Sequence, residues 1–188
     1  MDFEKDIEQC LVTLKRGGLI LYPTDTVWGI GCDATNAEAV EKIYTLKNRS
    51  DEKAMIVLVA DKSEILRYTA NPDLPVFDYL QQTQKPTTVI YEGAIDLAGN
   101  LNGKDGSIAF RICHEPFCNE LIKRFRKPIV STSANISGQS IAGTFREIKE
   151  VIKNGVDYIV RYRQHDTTIA EPSAIIKWNK GTIQIVRP

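Results

Sequence analysis

Tyr22-Pro-Thr-Asp-Thr-Val-Trp-Gly-Ile-Gly31 is rich in hydroxyl groups and glycine, and it directly follows an apolar run at residues 19–22 that is typical of a short buried β-strand. A second polar stretch, Ser131-Thr-Ser-Ala-Asn-Ile-Ser-Gly138, follows a similar apolar run at residues 128–130. Open α/β sheets bind their ligands at the carboxyl ends of strands. The segment Lys47-Asn-Arg49 comes just after a helical pattern and offers two cations to the same pocket. The sequence therefore predicts one anion site with these two loops as its walls, and phosphate as the leading ligand.

The composition indicates a globular chain without an overall attraction to charged partners. Its 188 residues, 43% of them hydrophobic, are enough for one sizeable core, so we predict a single domain over residues 1–188. Lys plus Arg and Asp plus Glu number 24 each, so no global field draws the chain to nucleic acid or membrane. The first residues are acidic, and no apolar stretch approaches the roughly 18 residues that a membrane span requires. We therefore expect a cytoplasmic protein.

The four cysteines, Cys10, Cys32, Cys113 and Cys118, lie in apolar patterns without a Cys-x-x-Cys spacing. This arrangement favours reduced thiols over disulfides or a zinc site. We therefore expect no structural metal.

Helical and strand patterns alternate along the chain. Helical spacing is found at residues 3–16, at 37–47 behind the N-cap residue Asn36, and from Pro116 to residue 127, while Thr144 and Glu147 form a capping-box pattern for a helix to about residue 153. Strand patterns are found at residues 19–22, 55–59, 87–91, 107–113, 158–161, 173–178 and 182–186, with the last two joined as a hairpin. This alternation predicts an α/β (α+β) fold, a twisted mixed sheet of about seven strands flanked by helices. Residues 93–106 and 164–172 are expected to be mobile loops that could cover a site.

Five motifs, in order along the chain, carry a resemblance to a known family. They are the stretch at 22–31, Lys47-Asn-Arg-Ser50, Ser107-Ile-Ala-Phe-Arg111, the stretch at 131–138, and Val186-Arg-Pro188. From about residue 17 to the last residue the chain resembles the YrdC-type threonylcarbamoyl-AMP synthases, in a single-domain, TsaC-like version. The resemblance implies a YrdC-like fold with a concave positive face. It also implies that L-threonine, bicarbonate and ATP, with Mg²⁺, are converted to threonylcarbamoyl-AMP and pyrophosphate.

The same resemblance implies the partners of the protein. The product would supply the threonylcarbamoyl group for adenosine 37 of certain tRNAs, and tRNA-modification proteins would use it. Direct contact with tRNA or double-stranded RNA is expected to be weak, because the net charge is zero.

Individual roles follow from matching the family's motifs to this chain. The Lys-x-Arg and Ser-x-Asn pattern falls on the residues implied to be catalytic, Lys47, Arg49, Ser133 and Asn135. Threonine would meet Thr26, Arg111, Ser131 and Ser173, and ATP would meet Arg49, Lys53, Ser107, Ser133 and Arg187. General chemistry agrees with two of these roles. An arginine fork such as Arg111 matches a planar carboxylate in a way that lysine does not, and Lys47 with Arg49 would stabilise the charge that spreads over a reacting triphosphate.

The chain departs from the family pattern in three places. Leu58 stands where many relatives carry a histidine near threonine, Lys85-Pro-Thr-Thr88 replaces a segment that usually contains Pro-Gly-Pro, and the sequence stops at Pro188 where longer relatives continue into a second domain. Two alternatives therefore stay open. One is a noncatalytic module that binds double-stranded RNA or tRNA in translation, and the other is a related enzyme for a different amino acid, because Arg111 and small hydroxyls would suit any α-amino acid.

Overall fold

The computed structural model describes residues 3–49, 55–70, 72–179 and 181–188. Within them the α-helices are α1 (Glu4–Lys15), α2 (Ala37–Lys47), α3 (Lys62–Tyr68), α4 (Pro75–Gln82), α5 (Pro116–Phe125) and α6 (Glu150–Lys153), and short 3-10 helices lie at Gly99–Leu101 and Phe145–Glu147. The strands are β1 (Ile20–Tyr22), β2 (Gly29–Gly31), β3 (Ile56–Val59), β4 (Thr87–Glu92), β5 (Ser107–Ile112), β6 (Ile129–Ser133), β7 (Tyr158–Ile159), β8 (Ala174–Asn179) and β9 (Thr182–Arg187).

The strands form one mixed sheet in the order β7-β1-β2-β6-β3-β5-β4-β8-β9. The pairs β1/β7, β3/β5 and β4/β8 are parallel, and the other neighbouring pairs are antiparallel. The prediction of a mixed sheet flanked by helices is confirmed, including the hairpin of β8 and β9. The predicted count of about seven strands is too low, because the sheet has nine. β6 corresponds to the apolar run at residues 128–130, whereas β2 was not predicted.

β2 is absent from the predicted strands because it consists of Gly29, Ile30 and Gly31, and glycine is uncommon in strands. The structure gives a steric reason for glycine here. A Cβ on Gly31 would lie 2.6 Å from the carbonyl oxygen of Val130 and 2.7 Å from Cε1 of Tyr22. The missing side chain lets β2 pack between β1 and β6, which brings the two hydroxyl-rich loops side by side.

Two helix starts form as their local sequence predicts, and one does not. The side chain of Asn36 accepts a hydrogen bond from Ala39 N at 3.1 Å, and the side chain of Glu115 accepts one from Cys118 N at 2.8 Å. The predicted capping box at Thr144 is wrong, because Glu147 Oε2 accepts from Gly143 N at 2.8 Å and Thr144 makes no side-chain cap bond. The segment therefore folds as a 3-10 helix followed by the single turn of α6.

The two segments predicted to be mobile covers differ in their packing. Residues 93–106 include a 3-10 helix whose Leu101 is fully buried, and Ala98 N donates to Ala34 O at 2.9 Å. Tyr44 Oη of α2 also donates to Asn100 O at 2.9 Å, so this segment packs on α2 and does not cover the predicted site. Residues 164–172 run past that site, with Arg163 and Asp166 paired at 2.9 Å at their start.

The core lies between the sheet and its helices, and α1 packs against α5. Phe3, Phe117 and Tyr162 form an aromatic group there, with ring centroids 5.0 to 6.1 Å apart. All four cysteines are buried and unpaired, as predicted. Among the described residues, no helix combines the length and apolar character needed to span a membrane.

Candidate active site

A cleft opens where the two hydroxyl-rich loops meet β5 and the ends of β8 and β9. It contains about 630 Å³ of empty space, including the part that is open to solvent. The described residues that line it are Thr26, Val27, Trp28, Gly29, Arg49, Met55, Ile56, Arg111, Ser131, Thr132, Ser133, Ile141, Pro172, Ser173, Ile175 and Arg187. The cleft therefore brings together side chains from both predicted walls.

Three guanidinium groups, those of Arg49, Arg111 and Arg187, line the cleft. None of the described lining residues is an aspartate or glutamate. Burial lowers the pKa of Arg49, and burial together with the charge of Arg111 lowers the pKa of Arg187. Crowded cations lower each other's pKa because each charge disfavours the next, and a bound anion relieves that repulsion. The electrostatics of the cleft thus favour anionic ligands.

Arg111, near the end of β5, is 3% exposed. Its Nη2 lies 3.0 Å from Oδ1 of Asp25, but neither atom has an aligned hydrogen-bond partner, and Nε is buried without one as well. The contact is therefore an ion pair with poor hydrogen-bond direction. Buried donors of this kind are costly unless an acceptor reaches them, and a ligand carboxylate in the cleft would supply such an acceptor.

Thr26 presents its hydroxyl oxygen to the cleft as an acceptor. The Thr24 hydroxyl donates its proton to Val27 O at 2.8 Å, so in its 3.0 Å contact with Thr26 Oγ1 it must accept. Thr26 is then the donor in that contact, which leaves its lone pairs for other groups. The hydroxyl of Thr26 is consequently suited to bind a donor such as an amine or a hydroxyl group.

Ser173 fixes the guanidinium of Arg187. Arg187 Nε donates to Ser173 O at 2.9 Å, and Nη2 donates to Ser173 Oγ at 3.3 Å. Ser173 Oγ also shares a hydrogen bond of 2.9 Å with Thr88 Oγ1 of β4. Because Ser173 is 1% exposed and Arg187 is the last residue of β9, these bonds hold a cation from the edge of the sheet over the cleft.

Ser133 and Asn135 form the opposite wall, and their side chains are joined. Ser133 Oγ donates to Asn135 Oδ1 at 2.6 Å, and Asn135 Nδ2 donates to Gln139 O at 2.7 Å. Ser133 lines the cleft, while the bonds of Asn135 close its own loop. Asn135 therefore shapes the position of Ser133.

Lys47, the last residue of α2, lies behind this loop and not along the cleft. Its side chain is 1% exposed, and Nζ donates to the carbonyl oxygens of Ser133 and Asn135, the latter at 2.6 Å. The Lys47 carbonyl oxygen in turn accepts from Ser137 N at 2.8 Å. The Lys47 ammonium, which the sequence predicts to act on phosphate, contacts the loop instead, because α2 ends with this side chain directed at the buried side of residues 133–137.

Burial, with a smaller effect of the Arg49 charge, lowers the pKa of Lys47 to about 7. An unfolded lysine keeps a pKa near 10.5, so between pH 7 and 10.5 the unfolded chain binds more protons than the folded one. We therefore expect the free energy of unfolding to rise with pH through this window, by about 2 kcal/mol between pH 7 and 9. Urea unfolding at both pH values measures it. The Lys47→Met variant should lose this pH dependence, and a variant with the wild-type slope would contradict the assignment.

One described residue that is implied to contact ATP, Ser107, is not among the residues that line the cleft. Ser107 is the first residue of β5, and its backbone N donates to Asp105 Oδ1 at 3.1 Å. Lys53 falls outside the described residues. Leu58, which replaces the histidine of many relatives, is fully buried in β3 opposite Arg111 in register.

Other residues of the site were not singled out from the sequence. Asp25 belongs to the first quoted stretch, but its pairing with Arg111 joins positions 86 residues apart in sequence (111 minus 25). Ile141 and Ile175 add apolar surface to the cleft, and Ile141 is 40% exposed. No local pattern distinguishes such residues from ordinary strand or loop residues.

The described residues of the cleft do not form a site for the Mg²⁺ that the resemblance implies. The described lining residues offer hydroxyl, carbonyl and guanidinium groups but no carboxylate, which Mg²⁺ usually requires. The described part of the chain also contains no cluster of three or more histidine, cysteine, aspartate or glutamate residues that could hold a metal.

Comparison with known sequences places the chain in a family. The model of the Sua5/YciO/YrdC family, which carries the description "Telomere recombination", matches residues 12–188. A threonylcarbamoyl-AMP synthase of Pseudoalteromonas translucida is 32% identical over 163 residues, which cover 85% of this chain and 87% of that protein. Another, from Idiomarina loihiensis, is 36% identical over 149 residues, which cover 77% and 80%.

Solved structures agree with this fold. E. coli YciO superposes with a TM-score of 0.83 at 24% identity, covering 97% of this chain and 88% of that one. P. abyssi Sua5 complexed with L-threonine gives a TM-score of 0.86 at 21% identity, covering 98% of this chain and 54% of that one, so the present chain spans about half the length of that protein. Since the family model covers nearly the whole sequence and the fold agrees, the chain belongs to the Sua5/YciO/YrdC family.

Proposed function

We propose that this protein is an L-threonylcarbamoyladenylate synthase, a nucleotidyltransferase that makes threonylcarbamoyl-AMP and pyrophosphate from L-threonine, bicarbonate and ATP. The observation that carries the proposal is one cleft with an unsatisfied, buried arginine fork at one place and two further guanidinium groups beside it. The arginine fork suits the carboxylate of an amino acid, and the two other guanidinium groups suit the phosphates of a nucleoside triphosphate. The names of relatives that are 32% and 36% identical support the same reaction.

The amino acid would bind at Arg111 and Thr26. Its carboxylate is planar and would accept from the guanidinium of Arg111, which lines the cleft. Its amine or hydroxyl would donate to Thr26 Oγ1, whose own proton is directed to Thr24. Ser131, which is 7% exposed on β6, and Ser173 would complete this end with small polar groups.

The phosphates would bind at Arg49, Ser133 and Arg187. Arg49 and Arg187 add two positive charges to the cleft without any carboxylate among the described lining residues. The Ser133 hydroxyl donates to Asn135 Oδ1 in this structure and would turn from that bond to donate to a phosphate oxygen. Preorganised cations act most strongly on charge that develops as the triphosphate reacts. Lys47 and Asn135 contribute by holding Ser133 in place.

The chemistry requires positioning and exclusion of water more than a covalent nucleophile. The threonine nitrogen bonds to the carbon of bicarbonate as water leaves, and an oxygen of the resulting carbamate bonds to the α-phosphorus as the bond to pyrophosphate breaks. Both the carbamate and the product anhydride are easily hydrolysed, so reactants must be held close and shielded. Pro172, at the end of residues 164–172, lines the cleft, and this segment is the candidate cover.

The proposal includes the use of the product in tRNA modification. The product would be used by tRNA-modification proteins to modify adenosine 37, and contact of this chain with tRNA itself would be weak because its net charge is zero. A noncatalytic RNA-binding module is the competing function. The buried arginine fork favours the enzyme, because RNA backbones are bound by exposed cations.

Pyrophosphate release tests the reaction directly. We expect release only when threonine and bicarbonate are both present, because the carbamate formed from both is the nucleophile. The assay uses buffer stripped of carbon dioxide, with each substrate added alone and together, and with other amino acids in place of threonine. Full activity without bicarbonate would indicate an aminoacyl adenylate former. Full activity without threonine would indicate nucleotide hydrolysis, and no activity under any condition would favour the RNA-binding alternative.

A further inference from the structure

Asp25 contacts Arg111 from outside the cleft. Its Oδ1 is 3.0 Å from Arg111 Nη2, and the side chains are 12% and 4% exposed. Arg111 lines the cleft, but Asp25 lines a neighbouring depression together with Arg163, Thr168 and Glu171. The carboxylate of Asp25 and a ligand in the cleft would therefore approach the guanidinium from different directions.

The loop that carries Asp25 is held by contacts on both sides of it. Arg163 Nη1 donates to Thr24 O at 3.2 Å, and Cys118 Sγ donates to Pro23 O at 3.0 Å. Thr26 N donates to Thr24 Oγ1 at 3.0 Å, which closes the turn around Asp25. Asp25 is thus presented to Arg111 by a braced loop, so its position does not depend on the ion pair alone.

The charge balance at Arg111 requires this carboxylate. A buried guanidinium without a counter-ion is strongly unfavourable, and removing one partner of a buried pair leaves the other uncompensated. Of the described residues, Asp25 is the acidic partner recorded within ion-pair distance of Arg111. Because the pair lacks an aligned hydrogen bond, Asp25 neutralises Arg111 without using up the hydrogen-bonding capacity of its guanidinium.

We propose that Asp25 is a positioning residue that holds the guanidinium of Arg111 at the wall of the cleft, in the orientation that receives the carboxylate of the amino-acid substrate. The inference rests on the proposed function and adds a residue to it. Asp25 itself does not touch the substrate. It acts through Arg111 and sets the affinity for the amino acid without changing the affinity for ATP.

Asp25→Asn tests this role, because asparagine has nearly the same shape but no charge. We expect the KM for threonine to rise at least about fivefold, while the KM for ATP stays within about twofold, because the phosphate contacts are made by other groups. Asp78→Asn, which removes an exposed carboxylate from α4, is the matched control and should behave as wild type. Asp25→Glu retains the charge and should have a threonine KM between those of wild type and Asp25→Asn.

A double-mutant cycle separates positioning from a general structural effect. In an Arg111→Gln background, Asp25→Asn should change the threonine KM no further, because the group that it positions is gone. Additive effects of the two changes would overturn the proposal, as would a threonine KM that is unchanged in Asp25→Asn. A lowered KM would also overturn it, since Asp25 would then compete with the substrate carboxylate.

Folding and function are controlled separately. Circular dichroism identifies a variant that fails to fold. If Asp25→Asn does not fold, the test uses Asp25→Glu and its double-mutant cycle with Arg111→Gln. A threonine KM equal to wild type in Asp25→Glu, together with additive cycle energies, would refute the role. Wild-type protein is assayed first. If it shows no threonine-dependent release of pyrophosphate, the proposed function fails; if it does and the cycle is additive, only the role of Asp25 fails.

Discussion

Arg111→Lys is expected to raise the KM for threonine at least about tenfold while the protein still folds. Arginine offers two parallel donors to a carboxylate, whereas lysine offers a single point charge, so the bidentate contact is lost even though the charge remains. The side chain is 3% exposed, and the shorter lysine would leave Asp25 with a more distant partner. Steady-state pyrophosphate release at varied threonine and saturating ATP measures the effect.

The control for this variant is Arg161→Lys. Arg161 is exposed, and it lines a different depression near α1, so its replacement should leave both KM values unchanged. The thermal midpoint of Arg111→Lys should be compared with wild type, because a modest loss from the altered buried pair is expected. Superimposable threonine saturation curves for Arg111→Lys and wild type would remove Arg111 from the amino-acid site.

Lys47→Ala is expected to lower kcat at least about tenfold and also to destabilise the protein by about 2 kcal/mol. The substitution removes the buried donor of two loop carbonyls, those of Ser133 and Asn135, and leaves them unsatisfied. The loop that carries Ser133 then loses its support from α2, and misplacement of a contact to reacting phosphate is costly. Turnover at saturating substrates and urea unfolding are the two measurements.

Arg49→Ala separates a direct contact from support of the loop. Arg49 lines the cleft, so this variant should also lose at least about tenfold in rate, with a rise in the KM for ATP. Lys42→Met is the matched control on α2, because Lys42 is exposed and its ammonium donates to Gly17 O at 2.8 Å, away from the residues that line the cleft. A Lys47→Ala protein with wild-type stability and reduced ATP affinity would show instead that the ammonium acts on phosphate.

Much of the fold can be predicted from local sequence patterns. The helix at 37–47 has the predicted bounds, because Asn36 caps it through a bond that spans only three residues. The β8–β9 hairpin follows from strand patterns around Gly181, whose φ of 84° suits glycine. Such caps and turns are formed by residues that are close in sequence, so local patterns predict them. α3 and α4 were not predicted, since short helices lack a sustained period.

The candidate site divides in the same way. The two hydroxyl-rich loops and Arg49 were recognised from sequence and do line one cleft, because each loop follows a strand and strand ends converge at the edge of a sheet. Local sequence patterns are therefore enough to identify which segments form the site. The sequence also shows which side chains these segments offer to a ligand, such as the guanidinium of Arg111.

The directions of the side chains, in contrast, follow from how distant segments pack together. Lys47 and Arg49 are two residues apart, yet one contacts loop carbonyls and the other lines the cleft. The pairing of Asp25 with Arg111 and the entry of the glycine strand β2 between β1 and β6 likewise join segments that are distant in sequence. These contacts depend on sheet register and on close packing between segments that are distant in sequence. The energies that favour one register or packing arise only when those segments are in contact, so no local pattern predicts them.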